Sequence, residues 1–295
     1  MFAAFSGVNT PLVMKNQSLS PRNFLKVATF VQDNYGIKMP PSKKTMLTCR
    51  LQKRMRQVGI ASLDNYIDFV FSPQGRGAEL VHMVDALTTN KTDFFREANH
   101  FETLTGRIIP LLLGNKEGQE DQSIRIWSAA CSSGEEPYTL AMTLREHSDR
   151  HRRLPFSILA SDISTKVLKK AGRAIYDEGR IGDVPLSLRK KYLLKSKGHS
   201  RSLVQFKPLI REAVTFRRIN LMDDAFGIRE KMDIIFCRNV LIYFSKEDQL
   251  SLMHRFAKQL APGGFLFIGH SESLSGMDVP FTPFLPTIYQ KKGGF

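Results

Sequence analysis

Cysteine is scarce in this chain: Cys49, Cys131 and Cys237 are the only three in 295 residues, they lie far apart, and no C-x-x-C pair occurs. An odd number of scattered cysteines excludes a disulfide framework and a cysteine metal site, and they read as reduced thiols. Long apolar runs are also missing. Stretches such as Ile108 to Leu113 are short, and the first residues have neither the basic start nor the apolar centre of a signal peptide, so a soluble, cytoplasmic protein without membrane insertion is expected. Among the histidines only His147 and His151 have helical i, i+4 spacing, and they fall in a polar helix end from Arg145 to Arg153; no metal is expected. The sequence carries no internal repeat and no low-complexity segment.

Acidic residues are the next shortage. Lys and Arg number 43 against 28 Asp and Glu, a net charge of +15, which favours acidic partners. From Lys38 to Arg56 there are seven basic residues and no acid, and on the helical part Arg50, Lys53 and Arg54 share one face beside an apolar stripe of Leu47, Leu51 and Val58. A second basic run, Pro185 to Arg218, has ten Lys or Arg residues against the single acid Glu212. The lack of local compensation in both runs suggests binding surfaces.

The most informative stretch is Ile124-Arg-Ile-Trp-Ser-Ala-Ala-Cys-Ser-Ser-Gly134-Glu-Glu-Pro-Tyr138, where an apolar strand runs into small residues and then opens a helix. Ala129, Ala130, Ser132, Ser133 and Gly134 leave room for a sharp turn and a close ligand, and Pro137 suits a first helical turn. Glu135 and Glu136 at the helix start argue against a phosphate, which needs an unopposed positive helix end. A second buried strand, Phe156 to Ala160, ends on Asp162, a carboxylate placed to grip two ribose hydroxyls. Ser164 caps the following helix, whose apolar positions are Val167, Leu168 and Ala171. A cofactor with a ribose, an amino acid end and no phosphate meets these demands, and S-adenosylmethionine has all three properties.

The periodicities predict a loose tail over residues 1–18, a small all-α domain over 19–88, and an α/β domain over 89–295. In the first, Pro21 opens a helix carrying Phe24, Val27, Ala28 and Val31, Tyr66, Ile67, Val70 and Phe71 recur helically later, and Ser72-Pro-Gln-Gly-Arg-Gly77 interrupts the pattern. In the second, strands are expected at Ile124–Trp127, Phe156–Ala160, Val214–Arg218, Met232–Cys237 and Phe265–Gly269, with helices between most of them. One helix starts at Ser245, includes Leu260 and stops at Pro262-Gly-Gly264. The interval of about 176–210 is too long for a crossover turn and contains the alternating piece Leu203-Val-Gln-Phe-Lys207, so it reads as an inserted small antiparallel β-subdomain.

Two further clusters carry chemical groups: Asn90-Lys-Thr92-Asp-Phe-Phe-Arg96-Glu and Cys237-Arg-Asn-Val-Leu-Ile-Tyr243-Phe, the latter leaving a buried strand at its carboxyl end. With Ser133-Gly-Glu135-Glu-Pro-Tyr138, Ala160-Ser-Asp162-Ile, Asn220-Leu221 and Gly269-His-Ser-Glu272, these segments resemble the chemotaxis receptor methyltransferases, the CheR family. The resemblance spans about Ser20 to Gln290. It implies a Rossmann-like methyltransferase domain that uses S-adenosylmethionine, releases S-adenosylhomocysteine, and esterifies glutamate side chains of chemoreceptors in sensory adaptation. It also implies that Asn90, Thr92, Arg96, Glu135, Asp162, Asn220, Leu221, Arg238 and Asn239 line the cofactor pocket, and that Arg96 and Tyr243 flank the transferring methyl. It further implies that the basic helix with Arg50, Lys53, Arg54 and Arg56 meets the receptor's cytoplasmic helices. Some relatives hold a receptor C-terminal peptide as an added strand on the inserted subdomain. Here the glycine-rich loop expected of them is reduced to Lys197-Gly198-His199, a departure from that pattern.

Such chemistry suits these residue types. A glutamate has a reference pKa of about 4.3 and is already ionised at neutral pH, so the enzyme must position it rather than deprotonate it. Alignment of reactants removes roughly 7–11 kcal/mol of barrier. Two rival readings share the cofactor fold: a nucleic-acid methyltransferase, suggested by the charge, and a non-catalytic cofactor-binding adaptor. The first lacks support in Arg238-Asn239-Val240, where amine-methylating relatives carry Asn/Asp-Pro-Pro-aromatic, and the second is disfavoured by the presence of Arg96, Glu135, Asp162 and Tyr243.

Overall fold

A computed structural model describes residues 18–118, 120–151, 154–196 and 202–293. The expected tail, apart from Ser18, and the Lys197-Gly198-His199 segment lie outside the described residues. The chain divides into two compact units, one containing the described residues up to Phe30 together with Met39–Leu87, the other Val31–Lys38 together with everything described from Thr88 onward.

The first unit is helical. Its elements are the start of α1 (Pro21–Tyr35), then α2 (Lys44–Gln57), α3 (Leu63–Phe71) and α4 (Pro73–Leu87). The Ser20 hydroxyl accepts from the Asn23 amide at 3.3 Å and the Ser62 hydroxyl from the Asn65 amide at 3.1 Å, satisfying helix-start donors. On α2 the buried stripe is Leu47, Leu51 and Met55; Val58, expected to continue it, is the residue that ends the helix. The expected interruption at 72–77 shrinks to Ser72. Its hydroxyl accepts from the Gly75 amide, so the helix begins at Pro73 and runs through both glycines. A Cβ on Gly75 would lie 2.0 Å from the Phe69 carbonyl, so only glycine allows α4 to start this close to the end of α3.

The reading of an uncompensated basic face on α2 is corrected here. The Arg54 guanidinium grips the buried Glu79 carboxylate of α4 through two bonds of 2.7 and 2.8 Å, and the Tyr66 hydroxyl donates to the same carboxylate at 2.9 Å. Arg50 donates to the Leu87 carbonyl at the end of α4. The neutralising acid is 25 residues away in sequence, where a scan of neighbouring charges does not see it. Lys53 and Arg56 are exposed.

The second unit is a seven-stranded sheet flanked by helices. Its strands are β1 (Ile124–Ala129), β2 (Phe156–Asp162), β6 (Val214–Arg218), β7 (Met232–Cys237), β8 (Leu260–Ile268), β9 (Phe281–Leu285) and β10 (Ile288–Lys291), in the order β6-β2-β1-β7-β8-β10-β9. The first five in that order are parallel; β10 runs antiparallel to both β8 and β9. Ile126, Ile234, Phe236, Phe265 and Phe267 enter one apolar layer, while Trp127, Ile235, Cys237, Leu266 and Ile268 enter the other. Both faces are therefore covered, as a parallel sheet requires. Helices α5 (Asn99–Thr103) and α6 (Ile109–Asn115) precede β1, α7 (Glu135–Arg150) joins β1 to β2, α8 (Thr165–Arg173) follows β2, and α11 (Lys246–Gln259) joins β7 to β8. The β8 strand begins at Leu260 and absorbs Pro262-Gly-Gly264, earlier than expected, while β9 and β10 escaped prediction because they are short and interleaved with Pro283 and Pro286.

Between α8 and β6 lies the small second sheet, β3 (Ile175–Asp177), β4 (Leu193–Lys195) and β5 (Leu203–Phe206), antiparallel in the order β3-β5-β4, with the short helices α9 (Leu186–Tyr192) and α10 (Pro208–Arg211). It is the expected inserted subdomain.

Arg54→Ala strands Glu79 with a single hydroxyl donor and is expected to destabilise the protein by about 2 kcal/mol, whereas Lys53→Ala stays within about 0.5 kcal/mol. Urea titration followed by circular dichroism separates the two; equal, small effects would show that the Arg54–Glu79 pair behaves as a solvated surface contact.

Candidate active site

The strand order reverses between β2 and β7 about β1, and the candidate residues gather at the carboxyl ends of these strands, where open α/β sheets form their ligand crevice. After β1 the chain turns through Ala130 (φ 61°), Ser132 (φ 51°) and Gly134 (φ 94°) before α7 starts at Glu135. Gly134 is required there: a Cβ would stand 2.9 Å from both the Tyr176 hydroxyl and the Ala171 side chain. Asp162, buried at the end of β2, fixes this turn. One of its oxygens accepts from the Ser132 amide and the other from the Ser164 amide, each at 2.9 Å. The Ser132 hydroxyl in turn donates to the Asn90 carbonyl at 3.0 Å, which brings the Asn90 segment to the same turn.

Both glutamates that open α7 are buried, and each has its own partners. Glu135 accepts from the Ser133 hydroxyl at 2.7 Å and from Arg180 at 3.1 Å. Glu136 accepts from the Ser128 hydroxyl and from Nε of Arg238, both at 2.7 Å. Arg238, the first residue after β7, is itself buried, with its side chain 2% exposed. Its Nη1 donates to the Arg96 carbonyl at 2.8 Å, to Glu97 at 3.2 Å and to Nδ1 of His100 at 3.1 Å. The guanidinium also lies over the rings of Phe101 and Phe236.

The protonation of His100 follows from its neighbours. Thr287 donates its hydroxyl to the Pro286 carbonyl, so it accepts from Nε2 of His100 at 2.8 Å, leaving Nδ1 to accept from Arg238. The ring is neutral with its proton on Nε2, and burial, together with the Arg238 charge, pushes its pKa down to about 4. Glu97 is held below the usual carboxylate range by the His270 amide, the Asn239 side chain and Arg238, which outweigh the opposing effect of burial.

Glu97, His100 and His270 place ligand-type atoms within 4.8 Å of one another. Glu97 and His100 each accept from Arg238, Glu97 also accepts from the His270 amide, and Nε2 of His270 lies 3.1 Å from Oδ1 of Asn99.

The segment that carries Tyr243 is anchored by Glu272, a residue whose role the sequence did not reveal. Its carboxylate accepts from the amides of Asn239 (2.9 Å), Leu241 (2.8 Å) and Gly269 (2.6 Å). Burial raises its pKa, and these backbone donors oppose the rise. Asn239 adopts φ 59° and sends its amide to Glu97 at 3.2 Å. A Cβ on Gly269 would lie 2.3 Å from that amide, which explains the glycine before His270. Among the described residues seven non-glycine positions have positive φ, and Phe95, Glu97, Ala130, Ser132, Asn239 and Thr287 all belong to this region. Such backbone costs of order 1–3 kcal/mol each and persists where surrounding contacts over-determine it.

The remaining candidates are placed as follows. Arg96 donates to the Lys91 carbonyl at 3.3 Å, and Thr92 offers its carbonyl to Arg180 at 2.6 Å. Tyr243 ends a single 3-10 turn, Leu241–Tyr243, and is half-buried. Asn220 follows β6, where its side chain bonds the Asn34 carbonyl, the Met222 amide and Asp223, while Leu221 is buried with Ile219 and Trp127 in the apolar layer. Beside Asn220 a cleft of about 560 Å³ opens, lined by Ile163, Tyr35 and Arg218 among others. Arg238 and Asn239 thus spend most of their donors on a buried clasp. Arg180 and His100 escaped sequence reasoning, and Glu136 and Glu272, noticed within their motifs, were given no partners there, because only the fold brings these groups to the site.

Two family models match this chain. The all-alpha domain of CheR methyltransferases covers residues 22–88, and their SAM binding domain covers residues 90–288. The chain is 37% identical over 278 residues to the chemotaxis protein methyltransferase of Borreliella burgdorferi, covering 94% of this chain and 96% of that protein. It is 38% identical over 263 residues to chemotaxis protein methyltransferase 1 of Pseudomonas aeruginosa, covering 88% and 93%. With the chemotaxis protein methyltransferase of Escherichia coli K12 it shares 34% identity over 274 residues, 92% and 91% of the two chains.

The depressed pKa of His100 makes stability depend on pH. Between pH 7 and 5 the unfolded chain takes up a proton on this ring that the folded chain refuses, so stability is present above about pH 6.5 and falls as the pH drops. The loss by pH 5 is expected to be on the order of 1–2 kcal/mol. His100→Gln removes this part of the dependence. Urea midpoints of parent and variant at the two pH values test it, and identical slopes would place the dependence on another group.

Proposed function

The chain belongs to the CheR methyltransferase family, and from that premise we propose that it transfers the methyl group of S-adenosylmethionine to glutamate side-chain carboxylates of chemoreceptors, forming methyl esters. The observation that carries the reading is the charge at the crevice. Asp162, Glu135 and Glu136 are three buried carboxylates around the turn between β1 and α7, and two of them stand at a helix start. Arg180 and Arg238 offset the charges of Glu135 and Glu136, and the remaining carboxylate still disfavours a pyrophosphate, whereas a cofactor with a ribose, an ammonium and a cationic sulfur finds acceptors. This set of acceptors therefore fits S-adenosylmethionine.

When bound, this cofactor supplies an electrophilic methyl on a sulfonium. Asp162 offers its carboxylate to the ribose hydroxyls, and Glu135 faces the amino acid end. Asn90 and Thr92 border the same turn, and Asn220 borders the cleft after β6, with Leu221 buried in the apolar layer beside it. Arg238 and Asn239 act from behind this lining: Arg238 holds Arg96 through its carbonyl, and Asn239, bonded to Glu97 and Glu272, sets the start of the loop that presents Tyr243. Arg96 and the Tyr243 hydroxyl orient the acceptor carboxylate. Neither has to change protonation state, because the acceptor is ionised at neutral pH.

Acceptor recognition is assigned to α2 of the helical unit. Lys53 and Arg56 supply exposed charge toward an acidic helical partner, while Arg50 and Arg54 contribute mainly by fixing α2 against α4. Two charges in the second basic run have carboxylate partners: Lys191 pairs with Glu146 and Asp149, and Lys195 with Glu178. This weakens the nucleic-acid reading, which drew on the same residues.

The deciding experiment is transfer of labelled methyl to receptor cytoplasmic fragments, with base-labile release of methanol as proof of an ester. Absence of transfer to any such fragment, with transfer to RNA or DNA instead, would overturn the reading. Asp162→Ala is expected to weaken both S-adenosylmethionine and S-adenosylhomocysteine by about tenfold or more in calorimetry, since charge-assisted hydrogen bonds are lost. Arg96→Ala and Tyr243→Phe are expected to cut methyl transfer by at least about tenfold while thermal midpoints stay within a few degrees. Retained activity with collapsed stability would make both residues structural.

A further inference from the structure

Arg180 belongs to no motif of the sequence, yet it reaches the crevice from the inserted subdomain. It lies in the 3-10 turn Glu178–Ile181 that follows β3. That turn is tied to the small antiparallel sheet: Glu178 bonds Lys195 of β4 at 2.8 Å, and its amide donates to the Ser202 carbonyl beside β5. From there Nη2 of Arg180 donates to the Thr92 carbonyl at 2.6 Å and to Glu135 at 3.1 Å, and Nη1 pairs with Asp93 at 3.3 Å. One guanidinium thus links the start of α7 to the Asn90–Asp93 segment. Four residues earlier, Tyr176 of β3 donates its hydroxyl to the Ser133 carbonyl at 2.7 Å. The inserted subdomain touches the cofactor turn at Ser133 and Glu135, once through a hydroxyl and once through a charge.

The charge arrangement has chemical content. Glu135 has no solvent exposure, so its carboxylate needs a counter-charge, and Arg180 supplies one while its own side chain stays 42% exposed. A carboxylate standing alone would select a bare ammonium. A carboxylate with a guanidinium beside it is the complement of a zwitterion, the form of an α-amino acid end.

We propose that Arg180 is a positioning residue of the cofactor site: carried by the inserted subdomain, it orients Glu135 and makes the site selective for a cofactor with a complete amino acid end. This rests on the reading of S-adenosylmethionine as cofactor. It gives the inserted subdomain a role in cofactor affinity that does not depend on any bound peptide.

Calorimetry on the full chain tests it with three ligands: S-adenosylhomocysteine, its decarboxylated analogue, and 5′-methylthioadenosine, which has no amino acid end. Arg180→Ala is expected to weaken S-adenosylhomocysteine about tenfold, to leave methylthioadenosine within about twofold, and to narrow the gap between S-adenosylhomocysteine and its decarboxylated analogue. Arg180→Lys keeps one charge but cannot bridge Thr92, Asp93 and Glu135 together, so an intermediate loss is expected, and this variant serves if the alanine form unfolds. Unchanged S-adenosylhomocysteine affinity in both variants, or equal loss of methylthioadenosine, overturns the proposal. If the parent itself binds none of the adenosyl ligands, the functional reading fails and takes this inference with it.

Discussion

The buried guanidinium of Arg238 is the interaction on which the crevice depends. A charge with 2% exposure is tolerable only when several acceptors surround it, and here they come from two separate parts of the chain: Glu136 at the start of α7, and the Arg96 carbonyl, Glu97 and His100 of one short segment. Removal of Glu136 takes away the acceptor of Nε, while Nη1 shares the other three. The demand for pairing therefore fixes the relative positions of the end of β7, the start of α7 and the segment before α5. The aromatic layer beneath, where Phe101, Phe236 and Phe267 stack, supplies the apolar floor that keeps water from replacing these contacts.

The strained turns follow from the same constraint. Glu97 and Asn239 take left-handed backbone because each must face the Arg238 clasp, and Glu272 secures Asn239 from the other side by collecting three backbone amides. Asp162 performs the equivalent task for the turn after β1 by accepting from Ser132, itself left-handed. Carboxylates that accept from backbone amides are thus the common device. They hold loops in conformations that local preference disfavours, and this is how a candidate site built mostly on loops is held in place.

Charge is handled in the same way in both units. The excess of basic residues is a property of the whole chain, but individual arginines are engaged in pairs: Arg54 with Glu79, Arg180 with Glu135 and Asp93, Arg238 with Glu136. Each pair joins residues 25 or more positions apart. Net charge therefore describes the long-range field of this protein, whereas the acceptors and donors of the site are set by pairs that partly cancel.

Much of this was legible in the residues themselves. The strand, small-residue turn and helix from Ile124 to Tyr138, the acid at the end of β2 and the Ser245 cap follow from local rules of backbone clearance, periodicity and capping, which operate over a few residues and survive in any context. The alternating Leu203–Phe206 piece identified an insertion for the same reason. The partners of the charged groups were not legible. Whether Arg54 faces solvent or Glu79, whether Arg238 lines a pocket or locks three segments together, and which acid anchors the Tyr243 loop depend on contacts across 25 to 142 positions of chain. A sequence determines which groups are available and where strands and helices begin. Only the packed sheet decides which groups lose their water, and a buried charge takes whichever partner the fold has brought within hydrogen-bonding distance.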